Sequence, residues 1–224
     1  MPKVGRAPVS TYRLQLQPGF GFADAAAVAD YLADLGVTHV YLSPILQATP
    51  GSTHGYDVVD HSRVSEDLGG EAAFRDMVAR FRDLGLGVIV DIVPNHMAVP
   101  VPESLNQPLW SVLRDGPGSP FAGWFDVDWA AQDGRLLMPV LGGPLSDCLR
   151  DLRADTGGAG PVLRYFDHVL PVRPGTEGLP LPGLLDAQHY RLADWHLAAT
   201  ELNWRRFFDI SSLIAVRVED PAVF

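Results

Sequence analysis

GVIVDIVPNH, residues Gly87–His96, carries the clearest structural signal in the sequence. Val88, Ile89 and Val90 form an apolar run, Asp91 interrupts it, and Ile92 and Val93 resume it before Pro94 stops the pattern. A run of this kind suits a strand covered on both faces, as in a parallel sheet. A carboxylate near the end of such a strand is costly unless it is paired or solvated. The C-terminal end of the strand is therefore expected to open into a polar site containing Asp91, Asn95 and His96.

Upstream of this strand, TYRLQL (residues 11–16) alternates and is rich in strand formers, and Pro18-Gly19 breaks it. Phe22, Ala25, Ala26, Ala29, Leu32 and Ala33 recur at helical spacing, with Asp24 in the first turn and Gly36 as the stop. THVYL (38–42) reads as a second strand. A long connection from Gln47 to about Gly70 follows, and a loop of that length is usually functional. A second helix is predicted from about Glu71 to Leu84, on the stripe Phe74, Met77, Val78, Phe81 and Leu84. The order β-α-β-α-β predicts a parallel sheet with right-handed crossovers. Both the THGYD loop (Thr53–Asp57) and the PNH turn follow strands, so both face the end where such folds carry their sites.

After His96 the character changes. Residues 97–145 are rich in Pro, Gly and Trp and show little periodicity. Short strands are expected at Trp124–Trp129 and Arg135–Val140, irregular connections at 154–160 and 171–183, and a helix from about Ala187 to Trp204. The domain reading is three-part: residues 1–96 as the first βα units of a barrel, 97–185 as an insertion subdomain, and 186–224 as a return to the barrel. A complete (β/α)8 barrel needs about 250 residues. The chain is therefore expected to be the front of a longer protein, since three barrel strands leave an unpaired edge.

Composition narrows the function classes. The 224 residues are 47% hydrophobic and 20% charged, with net charge −10. These are globular values, and the acidic balance argues against nucleic acid as a partner. One cysteine, Cys148, excludes an internal disulfide framework and fits a reducing compartment. No apolar N-terminal region reads as a secretory signal, and no apolar run approaches the roughly 20 residues of a membrane span. The expectation is a cytoplasmic protein with no membrane partner.

Two clusters could carry chemistry. Asp91, Asn95 and His96 could bind a hydroxylated substrate; alternatively Asp91 caps the following turn and His96 is a satisfied surface histidine. In the loop His54–Asp57, Tyr56 offers an apolar ring with a polar tip, suited either to stacking on a sugar or to packing in a turn. Asp91, His96 and His54 match no zinc signature. Asp91 and Asn95 could supply oxygens to calcium. The expectation is no metal and no cofactor. No phosphate-binding glycine loop follows a strand, and no GxSxG elbow is present. Glu201–Asp209, ELNWRRFFD, reads as a helix end with salt bridges. Trp110, Trp124 and Trp129 could line a carbohydrate groove but suit the packing of a small domain better.

DIVPNH (91–96) and GYD (55–57) resemble signature regions of the α-amylase superfamily, glycoside hydrolase family 13, at the ends of barrel strands three and two. STYRLQL (10–16), YLSPIL (41–46), STHGYDVVDH (52–61), ELNWRRFFD (201–209) and VRVEDPAVF (216–224) extend the resemblance to a trehalose-forming branch of that superfamily. It is weakest over 97–185. The resemblance implies a retaining mechanism with a nucleophile and an acid/base about 5 Å apart. The acceptor would be the 1-hydroxyl of the freed terminal glucose. A reducing-end α-1,4 linkage of a maltooligosaccharide would thereby become α,α-1,1. It also implies that His96 hydrogen-bonds the sugar before the scissile bond and that Tyr56 stacks on it, with His54 in the same substrate-binding loop. Asp91 and Asp57 would organise the site. Asn95 holds the position that binds calcium in many α-amylases and is assigned a structural role. The nucleophile and the acid/base would fall beyond Phe224. Asp209, Glu219 and Asp220 lack the expected context, so the chain alone is expected to be inactive. The partners implied are the maltooligosaccharide and the remaining barrel strands and C-terminal domains. The alternatives are an α-1,4-glucan hydrolase of the α-amylase type and a non-catalytic α-glucan-binding fragment.

Overall fold

The structure is a computed structural model that describes residues 7–155 and 160–223. The chain divides into two compact units, Met1–Pro94 and Asn95–Phe224.

In chain order the first unit contains β1 (Thr11–Leu14), α1 (Phe22–Ala27), α2 (Ala29–Asp34), β2 (His39–Leu42), β3 (Leu46–Ala48), β4 (Val58–Val64), α3 (Gly70–Asp83) and β5 (Gly87–Val90). β1, β2 and β5 form a parallel sheet in that order. The helix expected from Phe22 is two helices, broken at Val28 (φ −93°, ψ 6°). Asp24 acts in the first turn as expected, its carboxylate accepting from the Gly21 N–H at 2.9 Å. The long connection after β2 is not irregular: it holds the β3–β4 hairpin and a 3-10 turn at Glu66–Leu68.

Alternation along the strands sorts the two sheet faces. Leu14, Val40 and Leu42 are buried in one core with Phe22, Ala25, Ala29 and Leu32 of α1 and α2 and Met77 and Phe81 of α3. The intervening residues, Arg13, Tyr41 and Ile89, are register partners across the three strands and lie on the opposite face. Asp91 lies two residues beyond Ile89, on the same face at the C-terminal end of the sheet.

The second unit contains β6 (His96–Ala98), α4 (Gln107–Asp115), β7 (Leu136–Leu141), α5 (Leu145–Cys148), β8 (Leu152–Asp155), β9 (Val162–Tyr165), β10 (His168–Pro171), α6 (Leu181–Asp186), β11 (Tyr190–Asp194), β12 (Arg206–Phe207) and β13 (Ile210–Ala215). β8, β9 and β10 form an antiparallel meander, β7 and β11 a parallel pair, and β13 lies antiparallel between β12 and β6. One apolar core joins residues from 97 to 216, among them Met97, Leu113, Leu136, Leu192, Trp204 and Ile214. Residues 186–224, expected to return to the barrel, thus share the core of 97–185.

Three local expectations are corrected. Ala187–Trp204 is not a helix: Tyr190 and Leu192 bury alternately as strand β11, and Asp194 caps a 3-10 turn at Trp195–Ala199 by accepting from the His196 N–H. Trp124–Trp129 makes only isolated bridges, Phe125 to Val216 and Val127 to Trp204. The irregular stretch expected at 154–160 begins inside β8, and its residues 156–159 lie outside the described residues. The strand expected at Arg135–Val140 is β7.

Asn203 ties the segment before β12 to the rest of this unit. Its Oδ1 accepts from the Leu137 N–H at 2.9 Å, and its Nδ2 donates to the carbonyls of Asp128 (2.8 Å) and Arg135 (2.9 Å). Asn203 is buried, so losing the amide orphans backbone groups at about 1–3 kcal/mol each. Asn203→Ala is expected to lower the urea midpoint of the second unit, followed by tryptophan fluorescence. Asn203→Asp is expected to be no better, because a carboxylate cannot donate to the two carbonyls.

Candidate functional site

The polar cluster of the first unit is centred on Asp91. Its Oδ2 accepts from the Tyr56 hydroxyl at 2.6 Å and from the Tyr41 hydroxyl at 2.9 Å, and it lies 3.5 Å from a guanidinium nitrogen of Arg13. Strand register explains the set. Tyr41 neighbours Arg13 on one side and Ile89 on the other, and Asp91 follows on the same face. Tyr56 arrives from the β3–β4 loop, which is tightened by Gly55 at φ +76°. A Cβ there would lie 2.7 Å from the Pro44 carbonyl oxygen, so both the conformation and the space call for glycine.

Burial alone would push the Asp91 carboxyl up, but the hydrogen bonds from Tyr56, Tyr41 and Arg13 outweigh it and hold it below the usual carboxylate range. The hydrogen bond to Asp91 pushes the Tyr56 phenol up, burial adds to this, and Arg13 opposes it. Asp91 is thus an ionised acceptor that orients two phenols. A general acid would need the opposite shift.

The rest of the loop serves itself. The Asp57 carboxylate accepts from the Ser52 hydroxyl at 2.5 Å, and Ser52 Oγ accepts from the Gly55 N–H at 3.1 Å. Asp57 therefore shapes the turn. The exposed His54 ring stacks on the Tyr56 ring, with centroids 5.9 Å apart. Its Nδ1 accepts from the Tyr56 N–H at 3.0 Å, and while it does so the Asp57 oxygen 3.6 Å away is not a hydrogen-bond partner.

Asn95 and His96 belong to the second unit. His96 is buried and pairs with Ala215 across β6 and β13, and its ring stacks on Phe207 at 4.2 Å between centroids. Its Nδ1 lies 2.9 Å from Asn95 Oδ1. With that oxygen as acceptor, Nδ1 carries a proton. The Asn95 carbonyl accepts from the Val216 N–H at 2.9 Å. Asn95 thus fixes the imidazole. The surface-histidine alternative for His96 is corrected by its burial.

Arg13, Gln15, Tyr41 and Phe207 were not singled out by the sequence. Arg13 and Gln15 alternate with Leu14 and Leu16 in TYRLQL, and a polar row opposite a buried one was the available signal. Phe207 was hidden by reading ELNWRRFFD as a helix end. Among the described residues no three His, Cys, Asp or Glu side chains are grouped to hold a metal ion, and no helix is long and apolar enough to cross a membrane.

Residues 26–106 match the family described as alpha amylase, catalytic domain. A Mycobacterium tuberculosis protein named as a maltooligosyl trehalose synthase is 48% identical over 221 residues, 96% of this chain. The chain resembles the N-terminal part of maltooligosyl trehalose synthases. The maltooligosyltrehalose synthase structure from Arthrobacter ramosus superposes with a TM-score of 0.91 at 46% identity, covering 97% of this chain. In both cases the chain spans 28% of the relative's length. A cyclomaltodextrinase from Geobacillus thermopakistaniensis is 35% identical over 98 residues, 44% of this chain and 16% of its own length. The three-stranded parallel unit and the catalytic-domain match agree with a partial (β/α)8 barrel.

The Asp91 network makes stability depend on pH with a definite sign. A carboxyl whose pKa is depressed by folding contributes stability above its unfolded pKa and loses it as pH falls through the folded value. Asp91→Asn is therefore expected to destabilise at neutral pH. The difference from the parent should shrink as pH drops below the ordinary carboxylate range, as read by denaturant titration at a series of pH values.

Proposed function

We propose that the full-length protein converts the reducing-end α-1,4 linkage of maltooligosaccharides into an α,α-1,1 linkage, and that this chain supplies its N-terminal, sugar-gripping part. The observation that carries this is coverage. Similarity to maltooligosyl trehalose synthases runs through both units, whereas similarity to the cyclomaltodextrinase covers 44% of the chain. That favours the intramolecular transferase over a hydrolase. On this reading, residues 1–96 begin the barrel, 97–185 form an insertion after its third strand, and 186–224 return to the barrel.

The residues then take physical roles. Tyr56 offers its ring to the apolar face of the glucosyl unit before the scissile bond, with its hydroxyl engaged by Asp91. His54 backs that ring. His96, held by Asn95 and Phe207, offers its ring nitrogen to a sugar hydroxyl. Asp57 holds the loop. The nucleophilic aspartate and the acid/base glutamate come from strands contributed by the remaining chain, together with the walls that exclude water. Asp91 supports them by fixing Tyr56 and takes no proton itself.

Product analysis tests this reading. The full-length protein acting on maltopentaose is expected to consume reducing ends and form a non-reducing product of the same mass. A rise in reducing ends would make it a hydrolase, and binding without turnover would make it a glucan-binding protein. The 224-residue chain alone is expected to turn over nothing.

A further inference from the structure

We propose that Arg13 is a positioning residue that clamps the Tyr56 ring in its sugar-binding pose, with Tyr41 and Gln15 as its supports. The proposal rests on the reading of Tyr56 as a sugar-contacting residue and names what holds that residue in place. A phenol donates only one hydrogen bond, and Tyr56 gives its proton to Asp91. That bond fixes the hydroxyl at one point, beside the stacking of the His54 ring. Arg13 adds a second point, donating from one terminal nitrogen to the Tyr56 oxygen at 3.1 Å. The same nitrogen lies 3.4 Å from Gln15 Oε1, and the other lies 3.5 Å from Asp91 Oδ2.

The guanidinium is itself held flat, because its carbon lies 4.7 Å from the centroid of the Tyr41 ring, whose hydroxyl is fixed on Asp91. Gln15 completes the clamp by donating from Nε2 to the Thr53 carbonyl at 3.2 Å, holding the base of the loop that carries Tyr56. One planar fork therefore touches both phenol-bearing elements and the carboxylate between them. A lysine has no fork with which to reproduce this. Arg13 lies on β1 and Gln15 one residue past its end, and the two alternate with the buried Leu14 and Leu16, which puts them on the same side of the chain. The hydrogen bond to Tyr56 is also the main reason the Arg13 guanidinium holds its proton more tightly than usual.

The consequence is specific. Loosening the Tyr56 ring weakens the grip on the sugar and lets water compete with the glucose hydroxyl. The test is a double-mutant cycle in the full-length protein with maltopentaose, using Arg13→Met, Tyr56→Ala and the pair, with thermal melting as the fold control. Arg13→Met is expected to raise KM about tenfold, the size of a lost charge-assisted hydrogen bond, with a smaller change in kcat. The ratio of released glucose to non-reducing product is expected to rise. Arg13→Lys, which keeps the charge, is expected to recover part of the KM and to melt like the parent. In the Tyr56→Ala background, Arg13→Met is expected to add nothing. Additive effects would overturn the clamp, as would parent-like kinetics for Arg13→Met beside a damaged Tyr56→Ala. Parent-like kinetics for Tyr56→Ala would instead overturn the sugar-contact reading and the clamp with it. If Arg13→Met does not fold, the same cycle run with Tyr41→Phe in its place decides the matter by the same additivity criterion.

Discussion

A carboxylate at the end of a half-buried strand has to be satisfied, and in this protein the satisfaction of Asp91 sets the geometry around it. Burial works against its charge, and three donors overcome that cost. The donors come from three places in the sequence: Arg13 on β1, Tyr41 on β2 and Tyr56 on the loop before β4. The parallel register that aligns Arg13, Tyr41 and Ile89 is therefore also what assembles the cluster. The helix-covered face of the same strands, with Leu14, Val40 and Leu42, carries the apolar burial that holds the sheet in place. One face folds the unit, and the other gathers its chemistry at the C-terminal end.

The second unit applies the same logic to a histidine. The boundary between the units falls between Pro94 and Asn95, so the short motif DIVPNH serves both. Asn95 hydrogen-bonds Nδ1 of His96, Phe207 stacks on its ring, and β13 holds the strand that carries it. Asn203 and Trp204 bind the segment before β12 to β7 through side-chain hydrogen bonds to the Leu137 backbone. A stretch that reads as a charged helix end instead contains the short strand β12, which carries Phe207.

Much of the first unit was legible because local and global signals agree there. Apolar runs bounded by Pro and Gly gave the strands β2 and β5, and a helical stripe gave α3 within a residue. Asp91 was legible as a polar residue at a strand end, and Tyr56 as part of a long loop. The partners that fix them were not, because a cross-strand neighbour such as Arg13 or Gln15 is defined by register, which sequence spacing does not encode. The hairpin in the long connection was missed because β3 is short and its pairing with β4 shifts register twice. In the second unit little periodicity exists to read. Its strands are short and partner across long separations, as β6 does with β13, so the pairing partner rather than the local sequence decides the conformation.

The most direct measurement of the central claim is a crystal structure of the full-length protein with a bound maltooligosaccharide. The account predicts a glucosyl ring lying against the face of Tyr56, with the Tyr56 hydroxyl still hydrogen-bonded to Asp91 and to Arg13. A sugar bound with Tyr56 swung away from Asp91, or bound without touching Tyr56 at all, would contradict it.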